Sequence, residues 1–352
     1  MVLKRVTINN FRSFGDLDIS FDPKFHTIIG KNGSGKTSIL EAIHAISYGK
    51  SFRTHLNKHL IKNGSQGFLT AAEIANPDQT RSVVKYHYNP HSKTELILNE
   101  NRQQNWHEIA HQLPCIFLDT NTHRLMASQT KWRRDFINFC AYYCFKDHSS
   151  IYGKYQKILA QRNTLLKQTH SLSELTTWTE PLAFYGEQLT KICQDTTERI
   201  NHYIKQTSSE AAIDSQSFVI TYQNGYGKHE NLNKALHQNL DHDRSLGYTY
   251  YGPHRSDFYL TQSRDESKKI LYEHLSQGQL KRLAYCLKLA QLQTISQDLS
   301  SRPLLLLDDL GAELDQQGQQ TILAQLETLN VQVILTALSP PHKSDDFAIT
   351  TL

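Results

Sequence analysis

One short segment constrains this chain more than any other, because its glycines, lysine and threonine have the spacing of a phosphate-binding P-loop. The residues of this loop are, in order, Gly30, Lys31, Asn32, Gly33, Ser34, Gly35, Lys36 and Thr37. In such a loop, successive backbone N–H groups point into one concavity, the lysine reaches the β- and γ-phosphates, and the last hydroxyl ligates Mg²⁺. We therefore expect residues 30–37 to bind a nucleotide, with Lys36 on its phosphates and Thr37 on its metal.

The segments on both sides of the loop favour the same interpretation. Residues 25–29 predict a short buried strand, and residues 38–43 begin a helix whose N-terminus and dipole would face the phosphates. A strand, a P-loop and a helix in succession are typical of nucleotide-binding α/β proteins. A chance match in an unrelated loop is the alternative, and these flanks argue against it.

A second segment, near the other end of the chain, predicts a metal site. Residues 303–307 are a proline and four leucines, which predict a buried parallel strand, and Asp308 and Asp309 follow at its C-terminal edge. We expect Asp308 to hold Mg²⁺ together with Thr37. Asp309 is placed to orient or deprotonate an attacking water, so Asp309 and Lys36 are the candidate catalytic residues. A buried strand that ends in a solvated acidic turn is the alternative.

A third segment, LSQGQ at residues 275–279, precedes helical apolar spacing at residues 280–290. Ser276 is well placed as the N-cap and Gly278 lies in the first turn, so this helix start is a second candidate anion site. Two helix N-termini of one chain do not easily share one γ-phosphate unless they face each other across an interface. The pattern predicts ATP between two copies of the chain, held by Ser276, Gly278 and Gln279 of the second copy. A plain capped helix is the alternative.

Length and composition predict a cytoplasmic protein of about two domains. The chain has 352 residues, of which 38% are hydrophobic and 20% charged, so it can bury a sizeable core. It contains no apolar run near the roughly 20 residues that cross a bilayer, and its start predicts a strand instead of a signal peptide. Five cysteines without a CxxC pair predict reduced thiols. The net charge of +4 permits a nucleic-acid partner without arguing for one.

The middle of the chain, roughly residues 131–246, predicts a helical lobe. Residues 151–166 and 178–200 each carry an apolar stripe at helical spacing. The polar residues 168–173 between them predict a turn, so the two helices should pair antiparallel. A substrate cleft in this lobe is the alternative to a simple packed bundle.

One motif suggests a different chemistry. Residues 107–111 are a literal HExxH, in which His107 and His111 would bind zinc and Glu108 would activate water. The chain has 18 histidines, so a chance match is not surprising, and Pro114 ends the predicted helix at once. No third-ligand pattern follows. A zinc hydrolase is therefore kept as a minor alternative.

Taken in order, the P-loop, the LSQGQ segment and the leucine-rich strand before Asp308 resemble the ABC-type ATPase heads of the SMC-like group. Within that group, the chain resembles the RecF family of bacterial DNA replication and repair proteins. The other segments that carry this resemblance are residues 10–12 (NFR), 51–54 (SFRT), 133–136 (RRDF), 161–167 (QRNTLLK), 252–257 (GPHRSD) and 306–315 (LLDDLGAELD). The QRNTLLK and GPHRSD segments are much more particular to this family than the P-loop is.

The resemblance implies an α/β fold, namely a P-loop ABC-type ATPase head with an inserted, mainly helical second lobe. The implied limits are residues 1–130 with 247–352 for the head and 131–246 for the inserted lobe. The implied activity is a weak, DNA-stimulated ATPase in which ATP and Mg²⁺ close a homodimer on double-stranded or gapped DNA. Asp315 would lie at the same interface. RecO and RecR are the implied partners in loading recombinase at gaps, in a setting of DNA replication, repair, recombination and the SOS response.

Two departures from the family pattern affect the nucleotide site. Residues 116–121 stand where the family usually has an apolar strand that ends in a Pro-Glu-type turn. No switch histidine follows the predicted strand at 331–336, because His342 comes after two prolines. We therefore expect either slow hydrolysis or a less direct sensing of the phosphate by Thr336.

The DNA-contacting surface is predicted mainly from the resemblance. Residues 50–55 and 131–134 combine cations with an aromatic side chain, as surfaces that bind a nucleic-acid backbone often do. A solvated face, or a contact on the nucleotide side, is the alternative for each. At the level of the whole protein, an ABC-type head that serves an assembly without DNA is the alternative function.

Overall fold

The computed structural model describes residues 1–21, 24–118, 122–168, 172–210, 218–262, 265–269, 274–298, 303–309, 316–329, 331–340 and 348–352. Asp315, His342 and part of the predicted turn at 168–173 lie outside the described residues. The chain packs as a first unit of Met1–Thr122 with Ile295–Leu352 and a second unit of His123–Thr294. These units are groups of residues that contact one another. The domain limits expected from the sequence, 1–130 with 247–352 and 131–246, remain a prediction.

Numbered along the chain, the described strands are β1 (Val2–Phe11), β2 (Phe14–Ser20), β3 (Phe25–Ile29), β4 (Phe68–Ala75), β5 (Arg81–Tyr88), β6 (Glu95–Leu98), β7 (Asn101–Arg102), β8 (Cys115–Leu118), β9 (Phe218–Gln223), β10 (Asp257–Gln262), β11 (Asp265–Lys269), β12 (Leu304–Leu307), β13 (Gln332–Ala337) and β14 (Ala348–Thr351). The described helices are α1 (Lys36–Tyr48), α2 (His107–Gln112), α3 (Thr122–Ser128), α4 (Thr130–Cys144), α5 (His148–Lys167), α6 (Leu172–Glu210), α7 (Leu232–Gln238), α8 (Leu240–Leu246), α9 (Gln277–Asp298) and α10 (Gln316–Thr328). Short 3₁₀ turns lie at Asn57–Leu60 and Pro253–Arg255.

A parallel sheet in the first unit positions the P-loop. Its strand order is β14-β3-β13-β12-β8, and every neighbouring pair is parallel. The four leucines of β12 are fully buried, which confirms the strand predicted from residues 303–307. Because parallel strands end at one edge of a sheet, the residues that follow β3, β12 and β13 meet there.

The core of the first unit lies between this sheet, α1 and an antiparallel sheet of order β2-β1-β4-β5-β6-β7. Ile39, Leu40 and Ile43 of α1 have no exposed surface, and neither do Leu3 and Ile8 of β1. Burying such a side chain stabilises the fold by roughly 1.5–3 kcal/mol. The helix that follows the P-loop is therefore anchored by apolar packing along its length.

The second unit contains the predicted helical pair. Arg162 on α5 donates from Nε to Thr179 Oγ1 on α6 at 3.3 Å, and a Cβ on Gly186 of α6 would lie 3.0 Å from the Tyr155 ring of α5. Later residues of α6 thus meet earlier residues of α5, which confirms the antiparallel pairing. The unit also holds an antiparallel sheet of order β11-β10-β9. Within the described part of the chain, no helix combines the length and apolarity that a membrane crossing requires.

Candidate nucleotide-binding site

The P-loop turns sharply into α1 at Gly35. This glycine is the N-cap of α1 and has a φ of 101°, in the left-handed region that side chains with a Cβ rarely adopt. A Cβ at Gly35 would also lie 2.5 Å from Cζ of Phe14. Both the conformation and the space therefore require glycine. Helix α1 therefore starts directly from the loop, and a helix N-terminus favours an anion.

Lys36 lies across the concavity of this loop. Its Nζ donates to the carbonyl oxygen of Gly30 at 2.6 Å and to that of Lys31 at 3.1 Å, and the residue is only 9% exposed. An ammonium group held on neutral carbonyls can exchange them for phosphate oxygens, because bonds between charged partners are the stronger ones. The loop thus holds the Lys36 ammonium group on its own carbonyl oxygens, and the contact of Lys36 with phosphates remains a prediction.

Asp308, which directly follows β12, is bonded to a residue of α1 and to a residue of β13. Its Oδ1 accepts hydrogen bonds from Oγ1 of Thr37 at 2.9 Å and from Oγ1 of Thr336 at 2.8 Å. Burial raises the pKa of the Asp308 carboxyl, and the bonds from Thr336 and Thr37 and the nearby Arg53 guanidinium offset part of that rise. The structure therefore brings together Thr37 and Asp308, the two residues predicted to hold the metal.

Asp309 follows in an unusual conformation. It has a φ of 50°, and its backbone N–H donates to Oγ1 of Thr336 at 2.9 Å. The Thr336 hydroxyl thus accepts from Asp309 and donates to Asp308, which one hydroxyl can do. Thr336 was expected to sense the phosphate only indirectly, and its direct bonds to both acids were not predicted. Thr336 lies near the C-terminal end of the apolar strand β13, which is a signal that the sequence offers, but only the sheet order shows which acids this residue meets.

Glu41 of α1 is a buried residue of this site that the sequence analysis missed. Its side chain has no exposed surface and accepts from Nε of Arg12 at 2.8 Å and from Nη2 at 2.6 Å. It also accepts from the Ser51 hydroxyl, whose oxygen accepts from the N–H of Arg53 at 2.8 Å and of Thr54 at 3.2 Å. The NFR and SFRT segments are therefore joined through one carboxylate.

This network bears on the predicted role of residues 50–55. Burial raises the pKa of the Asp308 carboxyl, and the charge of the Arg53 guanidinium opposes that rise. This electrostatic effect favours a contact on the nucleotide side, which was one of the alternatives for this segment. The aromatic residue of the segment, Phe52, stacks on Phe117 of β8 with ring centroids 3.6 Å apart.

The LSQGQ segment forms a capping box at the start of α9. The Ser276 hydroxyl accepts from the N–H of Gln279 at 3.2 Å, and the Gln279 side chain accepts from the N–H of Ser276 at 2.8 Å. This confirms Ser276 as the N-cap. Ser276 and Gly278 are exposed, so the first turn of α9 is accessible. The contact of these residues with a nucleotide remains a prediction.

The HExxH segment forms the short helix α2. The rings of His107 and His111 lie close, with centroids 4.8 Å apart, and burial together with His107 lowers the pKa of His111. Among the described residues, no group of three or more His, Cys, Asp or Glu side chains gathers as a metal site would require. The segment therefore supplies a histidine pair and no third ligand within that part of the chain.

The RRDF segment ties α4 to the GPHRSD segment in the second unit. Arg133 donates to both carboxylate oxygens of Asp257, at 2.7 and 2.8 Å, and Nη1 of Arg134 donates to the Ser256 carbonyl at 3.2 Å. The Arg133 charge is thus satisfied inside the protein. Of the cations in the predicted DNA-binding segment 131–134, Arg133 has a structural role.

The QRNTLLK segment has a similar role. Arg162 is fully buried and donates from Nη1 to Asp243 and to Thr249, each at 2.7 Å. His254 contacts the Thr249 carbonyl through Nε2 at 3.0 Å and the Tyr155 hydroxyl through Nδ1 at 2.7 Å. The family-like segments of the second unit are therefore joined by buried polar contacts.

Comparison with known proteins places this geometry in a family. Residues 2–346 match the family model of the RecF/RecN/SMC N terminal domain. The chain is 32% identical over its full length to the DNA replication and repair protein RecF of Marinomonas sp. (strain MWYL1), 94% of which is covered. It is also 32% identical to RecF of Coxiella burnetii (strain RSA 493 / Nine Mile phase I), over 95% of this chain and 92% of that protein.

Solved structures that resemble this chain agree with the sequence comparison. The recombination mediator protein RecF-ATP of the RecFOR pathway matches with a TM-score of 0.86 and 27% identity, over 96% of this chain and 92% of that one. An Smc head bound to the C-winged helix domain of ScpA matches with a TM-score of 0.56 and 16% identity, over 96% and 90%, which shows the fold alone. The predicted α/β head fold and the predicted resemblance are confirmed. The chain belongs to the RecF family of DNA replication and repair proteins.

Proposed function

We propose that this protein binds ATP and Mg²⁺ at the P-loop and uses them to control its assembly on DNA during repair and recombination. The observation that carries the proposal is the contact of Asp308 with Thr37 and Thr336 at the edge of the parallel sheet. This contact joins the P-loop, the acidic strand and the last β-strand of the site. A solved relative is described as RecF-ATP, which supports ATP as the nucleotide.

The residues at this edge fit Mg²⁺. A hydroxyl and a carboxylate oxygen are hard ligands of the kind that this ion prefers, and Thr37 Oγ1 and Asp308 Oδ1 are 2.9 Å apart. Thr37 and Asp308 would therefore hold the ion. When bound, Mg²⁺ would neutralise charge on the phosphates. The hydrogen bond from the Thr336 hydroxyl to Asp308 would orient the metal-binding carboxylate.

We assign the hydrolytic step to Asp309 and Lys36. Asp309 would orient or deprotonate the attacking water, and Lys36 would stabilise charge on the transferred phosphate. Thr336 is bonded to both acids and so would respond to changes at either one. Turnover by this set is expected to be weak and stimulated by DNA, so that hydrolysis resets a conformational switch.

The exposed capping box of α9 supports a shared nucleotide site. ATP bound to residues 30–37 of one copy would contact Ser276, Gly278 and Gln279 of a second copy, where N–H groups of a helix start favour an anion. Since ATP would touch both copies only while its γ-phosphate is present, its binding energy favours the closed homodimer. The alternative of a plain capped helix predicts no dependence of assembly on ATP.

The proposed partners are double-stranded and gapped DNA, RecO and RecR, with recombinase loading at gaps as the outcome. Support comes from relatives named as DNA replication and repair proteins and from a solved relative described in the RecFOR pathway. We further propose that the protein works in the cytoplasm. All five cysteines are present as thiols, which suits a reducing compartment.

Sedimentation velocity with and without Mg²⁺-ATP and gapped duplex DNA tests this function. We expect the wild type to dimerise on ATP and to stay on gapped DNA, and Lys36→Arg to remain folded and monomeric. Lys85→Arg, at an exposed position of β5, is the matched control and should behave as the wild type. Equal dimerisation of Lys36→Arg would refute the ATP switch. Dimerisation on ATP without retention on gapped DNA would instead favour an assembly without DNA.

A further inference from the structure

The second unit contains a polar pocket of about 210 Å³ that the nucleotide site does not use. Its walls come from α4, α5 and α6 and from the 3₁₀ turn Pro253–Arg255 with the residue that follows it. The RRDF and GPHRSD segments, which are family-like in sequence, therefore meet at one cavity. The proposed ATP site gives neither segment a role in chemistry.

The charges that line this pocket favour an anion. Lys131 and Arg134 lie one turn apart on α4 and both line it, while Asp135 contributes the one carboxylate among the lining residues. The bond from Arg134 to the Ser256 carbonyl fixes the guanidinium at the wall. Burial lowers the pKa of His254 to about 4, so this lining histidine is neutral at physiological pH. The net charge of the lining is positive.

The size of the pocket limits what can enter. Sites for drug-sized molecules usually have volumes of about 300–1,000 Å³, so this pocket suits one small group better than a whole nucleotide triphosphate. Gln156 and Tyr152 also line it, and Tyr152 is 37% exposed. These neutral side chains place hydrogen-bonding groups beside the two cations. A strand that passes the opening can therefore insert one group while the rest of it stays outside.

We propose that this pocket binds one backbone phosphate of a DNA strand, with Lys131 and Arg134 as its cations. Arginine presents a planar fork that matches phosphate oxygens, and lysine adds a compact charge, so the pair suits a tetrahedral anion. Such a contact positions the protein on DNA without reading sequence. The proposal rests on the proposed DNA function and assigns one contact within it.

The test measures affinity for gapped duplex DNA by fluorescence anisotropy in Mg²⁺-ATP, between about 50 and 200 mM salt. Lys131→Gln and Arg134→Gln should each weaken binding about threefold or more and lower the salt slope by about 0.9. Lys157→Gln removes an exposed charge from α5 outside the pocket and should change neither quantity. Lys131 is exposed, so its variant tests the pocket even where the loss of Arg134 disturbs the fold.

The other outcomes separate the two levels of the proposal. Unchanged salt slopes in Lys131→Gln and Arg134→Gln, with a wild type that binds DNA, overturn the pocket and leave the DNA function standing. An equal loss in Lys157→Gln shows a general charge effect and also overturns the pocket. A wild type that binds no gapped DNA refutes the DNA function, and the pocket assignment with it. Calorimetric binding of inorganic phosphate that Arg134→Gln abolishes, together with DNA affinity and salt slopes that both variants leave unchanged, would identify a free anion as the ligand and overturn the strand assignment.

Discussion

Individual buried charges in this protein are matched by specific partners. Glu41 has no exposed surface and is bonded to Arg12 and Ser51, while Arg162 is bonded to Asp243 and Thr249. Moving a charge out of water costs several kcal/mol unless partners compensate it. Removing one partner of a buried charge therefore strongly destabilises the folded protein. Residues that touch no nucleotide can therefore decide whether the nucleotide site forms.

Arg12→Met is expected to destabilise the protein by about 3 kcal/mol, because it leaves the buried Glu41 carboxylate without its main partner. The measurement is urea unfolding of the two proteins. Arg5→Met is the matched control, since Arg5 bonds Asp18 in the same bidentate way but both side chains are more than 40% exposed. Its loss should have little effect. Similar midpoints for both variants would contradict the importance of the buried pair.

Stability should fall in mild acid because of two buried histidines. Burial lowers the pKa of His148 and of His254 from 6.5 to about 4. The unfolded chain therefore takes up protons below pH 6.5 while the folded protein does not, so stability is complete above that pH and is lost as pH falls toward 4. The loss reaches about 3 kcal/mol for each histidine.

Urea unfolding between pH 7.5 and 5 measures this dependence. His254→Gln should have a shallower fall in stability with pH, because one of the two titrating groups is gone. The control His91→Gln, at an exposed position, should keep the slope of the wild type. An identical slope in all three proteins would exclude His254 as a source of acid sensitivity.

At the scale of elements, two turns of the second unit support each other. The N–H of Gly252, at the start of the GPHRSD segment, donates to the carbonyl oxygen of Gly225 at 3.0 Å. Gly225 has a φ of 82° and lies just after β9. A Cβ there would come within 2.2 Å of the Gly252 carbonyl oxygen and 2.7 Å of the Ser256 nitrogen. The turn that carries His254 and Ser256 thus depends on a glycine in another turn.

Gly225→Ala and Gly227→Ala form a matched pair that tests this support. Both glycines have positive φ, but a Cβ on Gly227 meets nothing within 4 Å. Gly227→Ala should cost about 1–2 kcal/mol from backbone strain alone. Gly225→Ala should cost clearly more, because the backbone of the GPHRSD turn must shift as well. Equal unfolding midpoints for Gly225→Ala and Gly227→Ala would show that the GPHRSD turn does not depend on Gly225.

For the molecule as a whole, the proposed ATP site needs two copies of the chain. The P-loop lies in the first unit and the capping box of α9 begins in the second, and a shared site takes one from each copy. A two-fold dimer then contains two identical sites. A variant in the P-loop and a variant in the capping box of α9 should therefore complement each other when they are mixed. Sites that are each built from a single chain would show no such complementation.

Lys36→Met and Ser276→Arg should each abolish ATP-driven dimerisation when purified alone. Since neither variant pairs with itself, the dimers in an equimolar mixture are mixed and carry one intact site out of two, so the mixture should regain at most about half of the wild-type ATPase activity. The readouts are ATP hydrolysis and sedimentation. Ser276→Thr keeps the capping hydroxyl and should remain active. Failure of the mixture to recover either activity or dimers would refute a site shared between copies.

Much of this protein follows from local sequence. The P-loop, the buried β12 strand and the antiparallel pair of α5 and α6 were all predicted from spacing, and the structure confirms the strand and the pair. Such patterns are readable because glycine conformations, apolar periodicity and helix caps act between residues near in the chain. The association of Thr37 with Asp308 was also predicted, because P-loop and acidic strand imply the same sheet edge.

Tertiary structure alone decided which distant partners complete these local features. Thr336 meets Asp308 because β13 lies between β3 and β12, an order that differs from the order along the chain. Glu41 is satisfied by an arginine 29 positions away, and Arg134 by a carbonyl 122 positions away. Residue spacing in the sequence does not indicate such contacts. A charge can be buried only after folding has brought its partner close. The sequence therefore determined the chemistry of the site, and the packing of the sheet and helices determined its supports.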